Sequence, residues 1–88
     1  MELAFDGYRL AESDGQGVKF IGCYLDAENQ EHFIVCRVTR LALESLVMQD
    51  LNTATKLVAA YSCESIKINQ IAADQFGSAV KKPEVTGL

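Results

Sequence analysis

The sequence predicts an α+β domain of 88 residues in which an antiparallel β-hairpin packs on a short helix and a long C-terminal helix, with a place for an edge strand at either end. Two runs rich in β-branched and aromatic residues, Val18–Leu25 (VKFIGCYL) and Phe33–Thr39 (FIVCRVT), flank the short polar connector DAENQE, the pattern of two strands joined as a hairpin. Downstream the apolar residues change to helical spacing. The length suits one domain, and a chain of this size buries only about 60–65% of its unfolded surface, enough for one modest core.

Residues 1–17 form an N-terminal arm and loop. Leu3, Phe5, Tyr8 and Leu10 alternate loosely, as in an edge strand or an extended arm, and Asp6-Gly7 interrupts them with a turn signal. The polar, glycine-rich stretch Glu12–Gly17 reads as a loop. The hairpin occupies 18–39. With Glu28-Asn29 as a two-residue turn, Cys23 faces Ile34, Ile21 faces Cys36 and Leu25 faces His32. Ile21, Cys23, Leu25, Ile34, Cys36 and Val38 then form the face that meets the helices. Val18, Phe20, Tyr24, Phe33 and Val35 form the other face, broken by Gly22 and Arg37.

The short helix spans 40–50. Thr39 is its expected N-cap, and Leu43, Leu46, Val47 and Leu51 recur at helical spacing. Asn52 or Thr53 caps the next helix. Over 53–76 a single stripe of Val58, Tyr61, Ser65, Ile68, Ala72 and Phe76 predicts one continuous long helix, with Gly77 as its left-handed terminator. Such a helix is as long as the domain is wide, so one end should project past the hairpin. The tail, 78–88, holds the only proline, Pro83, and reads as a short edge strand around Val80 or as disordered.

The net charge of −4 is unevenly spread: residues 1–31 carry seven acids against Arg9 and Lys19. Nucleic-acid binding needs a basic footprint, and this chain has scattered basic residues and a single Lys81-Lys82 pair. No apolar run approaches the roughly 18 residues of a membrane span. The N-terminus lacks the charge and apolar pattern of a secretory signal, so a cytoplasmic location is expected.

The residue types that carry chemistry do not converge. Cys23, Cys36 and Cys63 lack the close pairing of zinc ligands. Cys23 and Cys36 read as small core residues, able to form a disulfide only if the register shifts. Cys63 lies on a flank of the long helix and is the one candidate reactive thiol. His32, the only histidine, reads as a solvated strand-end residue. Asp26, Glu28 and Glu31 cluster at the hairpin tip but lack the oxygen spacing of a calcium loop, so they read as a solubilising tip. Gly15-Gln16-Gly17 leads into a strand, whereas a phosphate-cradling loop opens a helix. No catalytic residue, metal site or cofactor is therefore expected.

The chain also resembles the YrdB-like family of small bacterial proteins of unknown function. The likeness is carried by Phe5, Val18-x-Phe20, Cys36-x-Val38-Thr39, Ala42-Leu43-Glu44, Tyr61, Ile66 and Ala72-Ala73, over residues 3–76. It departs from the family pattern in lacking a tryptophan before the first hairpin strand and in a weak C-terminal strand signal. The resemblance implies a compact α+β fold and supplies no catalytic residues.

Helices can shield only one side of a hairpin, yet both sides here are apolar. A non-enzymatic interaction module that self-associates through Val18, Phe20, Tyr24, Phe33 and Val35 is the leading functional expectation, unless the N-terminal arm covers that face. A small-molecule or regulatory site in a cleft between hairpin and long helix, near Tyr61, Cys63 and Ser65, is the alternative. An enzyme using Cys63 or His32 ranks last.

Overall fold

The two strands of the hairpin pair as one uninterrupted antiparallel ladder, from Gly17 opposite Thr39 to Leu25 opposite Glu31. The computed structural model describes residues 2–86, so residue 1 of the expected arm and residues 87 and 88 of the expected tail lie outside the description. The chain order is β1 (Ala4–Ala11), β2 (Gly17–Leu25), β3 (Glu31–Thr39), α1 (Arg40–Val47), α2 (Ala54–Cys63), α3 (Ser65–Gly77) and β4 (Glu84–Val85). The strands form one mixed sheet in the order β1-β2-β3-β4, antiparallel except for the parallel β3–β4 pair.

The N-terminal segment is a strand within the sheet. Ala4 pairs with Cys23 and Ala11 with Val18, and the register shifts between Phe5 and Arg9. The Asp6-Gly7 turn signal becomes this irregularity: Gly7 adopts φ +89°, and the Tyr8 N–H donates to Asp6 Oδ1 at 2.8 Å. The bulged strand stays at the sheet edge and crosses neither face.

The hairpin register differs by one residue from the expected one. The connector closes as a three-residue loop: Asp26 N–H donates to Gln30 O at 3.0 Å, Asn29 N–H donates to Asp26 O at 3.0 Å, and Asn29 is left-handed at φ 60°. This is a type I turn followed by a left-handed residue. Phe20 now opposes Cys36, Gly22 opposes Ile34 and Tyr24 opposes His32. Because side chains alternate along a strand, a one-residue slip exchanges the two faces of β2 while leaving β3 unchanged.

The helices cover the face that holds Val18, Phe20, Tyr24, Ile34, Cys36 and Val38. Phe20 is fully buried, with ring centroids 5.8 Å from Phe5 and 5.0 Å from Tyr61. Tyr24 lies 5.0 Å from Phe76 on α3. Leu3 folds across Gly22 so closely that a Cβ there would sit 2.8 Å from its side chain, which explains a glycine in mid-strand.

Thr39 caps α1, accepting from Ala42 N–H at 3.2 Å, and Thr53 caps α2, accepting from Lys56 N–H at 3.1 Å. The expected continuous helix is two helices meeting at Glu64, whose N–H is shared between the carbonyls of Ala60 and Tyr61. Two serine hydroxyls bond the backbone around this joint, Ser62 to Val58 O at 2.9 Å and Ser65 to Ser62 O at 3.3 Å. Serines bonded back to carbonyls bend helices. The core stripe nevertheless continues across the joint, with Tyr61, Ile68 and Ala72 all buried.

Gly77 is the last residue of α3, and the left-handed terminator is Ala79 at φ 71°. The Val80 N–H reaches Gln75 O at 3.1 Å and the Ala79 N–H reaches Phe76 O at 3.0 Å, a Schellman closure with alanine where glycine is usual. The edge strand of the tail forms at Glu84–Val85, beyond Val80, and pairs with Arg37 and Val38. The Gln75 side chain holds it, donating to Glu84 O and accepting from Glu84 N–H, both at 2.9 Å. Among the described residues no helix is long and apolar enough to cross a membrane.

Candidate interaction surface

The side of the sheet opposite the helices carries Ile21, Cys23 and Leu25 on β2 and Phe33 and Val35 on β3. Ile21 pairs with Val35 and Cys23 with Phe33, so these residues form one contiguous strip. Phe33 is 59% exposed, Val35 52%, Leu25 54% and the neighbouring Leu10 of β1 55%. Singly exposed apolar residues are ordinary, whereas a contiguous patch of a few hundred Å² marks an interaction surface. Of the five residues expected on this face, the structure places Phe33 and Val35 here. Val18, Phe20 and Tyr24 point to the helices, and Val18 and Phe20 have no exposed surface. Ile21, Cys23 and Leu25, expected inside, replace them. The outer face is therefore apolar as expected, with a different set of β2 residues, and β1 lies beside it as an edge strand without covering it.

Both ends of this outer face are charged. At the end distant from the turn, Lys19 stands opposite Arg37. Arg37 makes a two-pronged bond to Glu12, Nε to Oε2 at 2.7 Å and an NH2 nitrogen to Oε1 at 2.8 Å, and approaches Glu84 at 3.5 Å. The Arg37 hydrogen bond holds the Glu12 carboxyl below its ordinary value, against the opposing effect of desolvation. At the turn end, Glu31 lies opposite Leu25. Among the described residues neither Lys19 nor Glu31 has an ion-pair partner.

The hairpin tip is internally satisfied. Asp26 Oδ1 accepts from the N–H groups of Glu28 and Gln30, both at 2.9 Å, and Oδ2 lies 2.7 Å from His32 Nε2. These bonds, with His32 foremost, hold the Asp26 carboxyl below its usual range. His32, an exposed residue at the start of β3 as expected, also stacks on Tyr24 at 5.1 Å. Among the described residues no group of three His, Cys, Asp or Glu is placed to hold a metal ion.

The cysteines fall in three environments. Cys36 is buried, and desolvation pushes its thiol up to about 11. Cys23 is partly exposed on the outer face. The two lie on opposite sides of the sheet, opposite Phe33 and Phe20 respectively, which precludes a bond between them. Cys63 is exposed at the end of α2. Tyr61, expected near a cleft, is buried against Phe20, and its hydroxyl donates to Asn69 Oδ1 at 2.7 Å. Burial pushes that phenol up to about 12. A cleft between hairpin and α3 does exist, but elsewhere. It measures about 650 Å³ and is lined mainly by Tyr24, Ile34, Phe76, Val80 and Lys81. It was missed because it depends on the chain reversal after α3.

No family model matches the chain, and no curated protein matches it. Among solved structures, a protein of unknown function from the DUF1488 family of Shewanella loihica PV-4 has the same fold. Its TM-score is 0.84 at 13% sequence identity, covering 98% of this chain and 93% of that chain. At that identity the likeness shows the fold alone.

Proposed function

We propose that the protein is a non-catalytic interaction module that works as a homodimer through the outer face of its sheet. The observation that carries this is the contiguous strip of Ile21, Cys23, Leu25, Phe33 and Val35, opposite the helices and left uncovered by β1. An antiparallel sheet with one solvated face normally alternates apolar with polar residues, and the centre of this face departs from that rule. A cytoplasmic location and membership of the YrdB-like family belong to the same proposal, the latter supported by the motifs noted above.

Sedimentation equilibrium from about 1 to 100 μM tests the proposal. Reversible dimerisation, lost in a folded Phe33→Glu variant, is expected. A strict monomer throughout that range, or a Phe33→Glu protein that dimerises like the parent, would overturn it.

The cleft between hairpin and α3 supports a second reading, a small-ligand or regulatory site. Its volume of about 650 Å³ falls within the usual range for ligand pockets, about 300–1,000 Å³, and its walls are mostly apolar. A thermal-shift screen of metabolites should yield a saturable rise in Tm that a Phe76→Ala variant lacks. No stabilisation across a broad panel would count against it.

A further inference from the structure

We infer that the second copy docks face to face with its strands reversed, the two-fold axis lying between the sheets and crossing the strands, so that Lys19 of one copy meets Glu31 of the other. The inference rests on the reading of the outer face as the homodimer surface and specifies how that surface is used.

A two-fold axis that packs one sheet face on its copy must lie in the plane between them. If it runs along the strands, hairpin tip stacks on hairpin tip. If it crosses them, tip stacks on base. The charges discriminate. The tip end of the outer face presents Glu31, with Asp26 and Glu28 in the adjoining turn. The base end presents Lys19 and Arg37, and Lys81 and Lys82 line the same groove as these two. Two carboxylates, Glu12 and Glu84, face Arg37, and Lys19 also acts on Glu12, while Lys81 and Lys82 keep this end positive even with the Asp14 carboxylate of the β1–β2 loop counted. The base end therefore carries net positive charge and the tip end negative charge, with Lys19 and Glu31 on the outer face outside the close ion pairs among the described residues.

Size brings those charges into play. Four half-exposed apolar side chains offer on the order of 400 Å², whereas a stable interface takes about 800 Å² from each partner. The contact must extend past Leu25 and Val35 onto both charged ends. Stacked sheets sit about 10 Å apart with strands within about 30° of alignment, and a lysine spans much of that gap. Tip on tip would instead bring the two Glu31 ends together and the two Lys19–Arg37 ends together, and like charges facing across an interface disfavour a geometry.

Charge reversal tests this. Lys19→Glu, Glu31→Lys and the double variant are compared with the parent by sedimentation equilibrium at low ionic strength. Each single reversal should raise the dimer Kd about tenfold or more, since symmetry repeats each contact, and the double reversal should return it to within about threefold of the parent. Singles without effect, or a double variant as weak as the singles, would overturn the reversed-strand geometry while leaving the homodimer in place. A parent that does not associate would remove the homodimer and this geometry with it.

Discussion

Replacing Phe20 and Phe33 separately by alanine should give opposite results, although both are phenylalanines in the same hairpin. Phe20 is fully buried between Phe5 and Tyr61. Truncating such a ring removes its transfer free energy and leaves a cavity that the flanking aromatics fill only in part, a loss of about 3–5 kcal/mol. A domain of this length has a total stability of roughly 4–13 kcal/mol, so Phe20→Ala should be marginally folded or unfolded at 25 °C. Phe20→Leu provides a measurable intermediate at about 1–1.5 kcal/mol. Phe33 is 59% exposed, and Phe33→Ala should change monomer stability by less than about 1 kcal/mol. Urea unfolding is the assay, run at protein concentrations low enough that the midpoint no longer depends on concentration, so that association does not enter. Equal losses at the two positions, or a larger loss at Phe33, would refute the face assignment of β2 and β3.

Ala79 holds a left-handed conformation at φ 71°, so Ala79→Gly should stabilise by about 0.5–1 kcal/mol, read as a rise in Tm of about 2–8 °C. The Glu12 carboxyl is held below its ordinary value near 4.5 by the Arg37 hydrogen bond. A depressed carboxylate contributes stability that is fully present above the unfolded value and lost as pH falls through the folded one. Glu12→Gln should therefore cost about 1–2 kcal/mol at pH 7 and flatten the decline in stability below about pH 4.5, as followed by urea midpoints across pH. In native protein at pH 7, a thiol reagent should modify exposed Cys63 first and buried Cys36 only on unfolding. Cys23 should become protected as protein concentration rises; peptide mass mapping distinguishes the three.

The two hairpin strands, the Thr39 cap and the helical stripe were legible because each leaves a local signature: β-branched runs, a hydroxyl before an apolar period, a repeat of three and four. The register was not. DAENQE accommodates a two-residue turn at Glu28-Asn29 or a three-residue loop ending at left-handed Asn29, and the two differ by one residue. Asp26, whose carboxylate collects the Glu28 and Gln30 N–H groups, was the available signal for the longer loop. That single residue moved Val18, Phe20 and Tyr24 inward and Ile21, Cys23 and Leu25 outward. The joint at Glu64 was hidden because Ser62 and Ser65 fit a helical stripe and bend it only through bonds to the backbone. The parallel strand β4 was obscured because Glu84-Val85 is too short to declare itself; its place is fixed by Gln75 and Arg37.

All three helices lie between Val38 and its ladder partner Val85. The β1–β2–β3 meander can zip from adjacent segments, but β4 has no berth until α3 has delivered Gln75 to the sheet margin. A two-residue strand paired across so long a stretch of chain is expected to dock after the meander. Its departure would bare the β3 backbone at Arg37 beside Val35, giving a growing strand stack a place to start. Locking that final segment down, more than enlarging the core, is where resistance to aggregation would be gained.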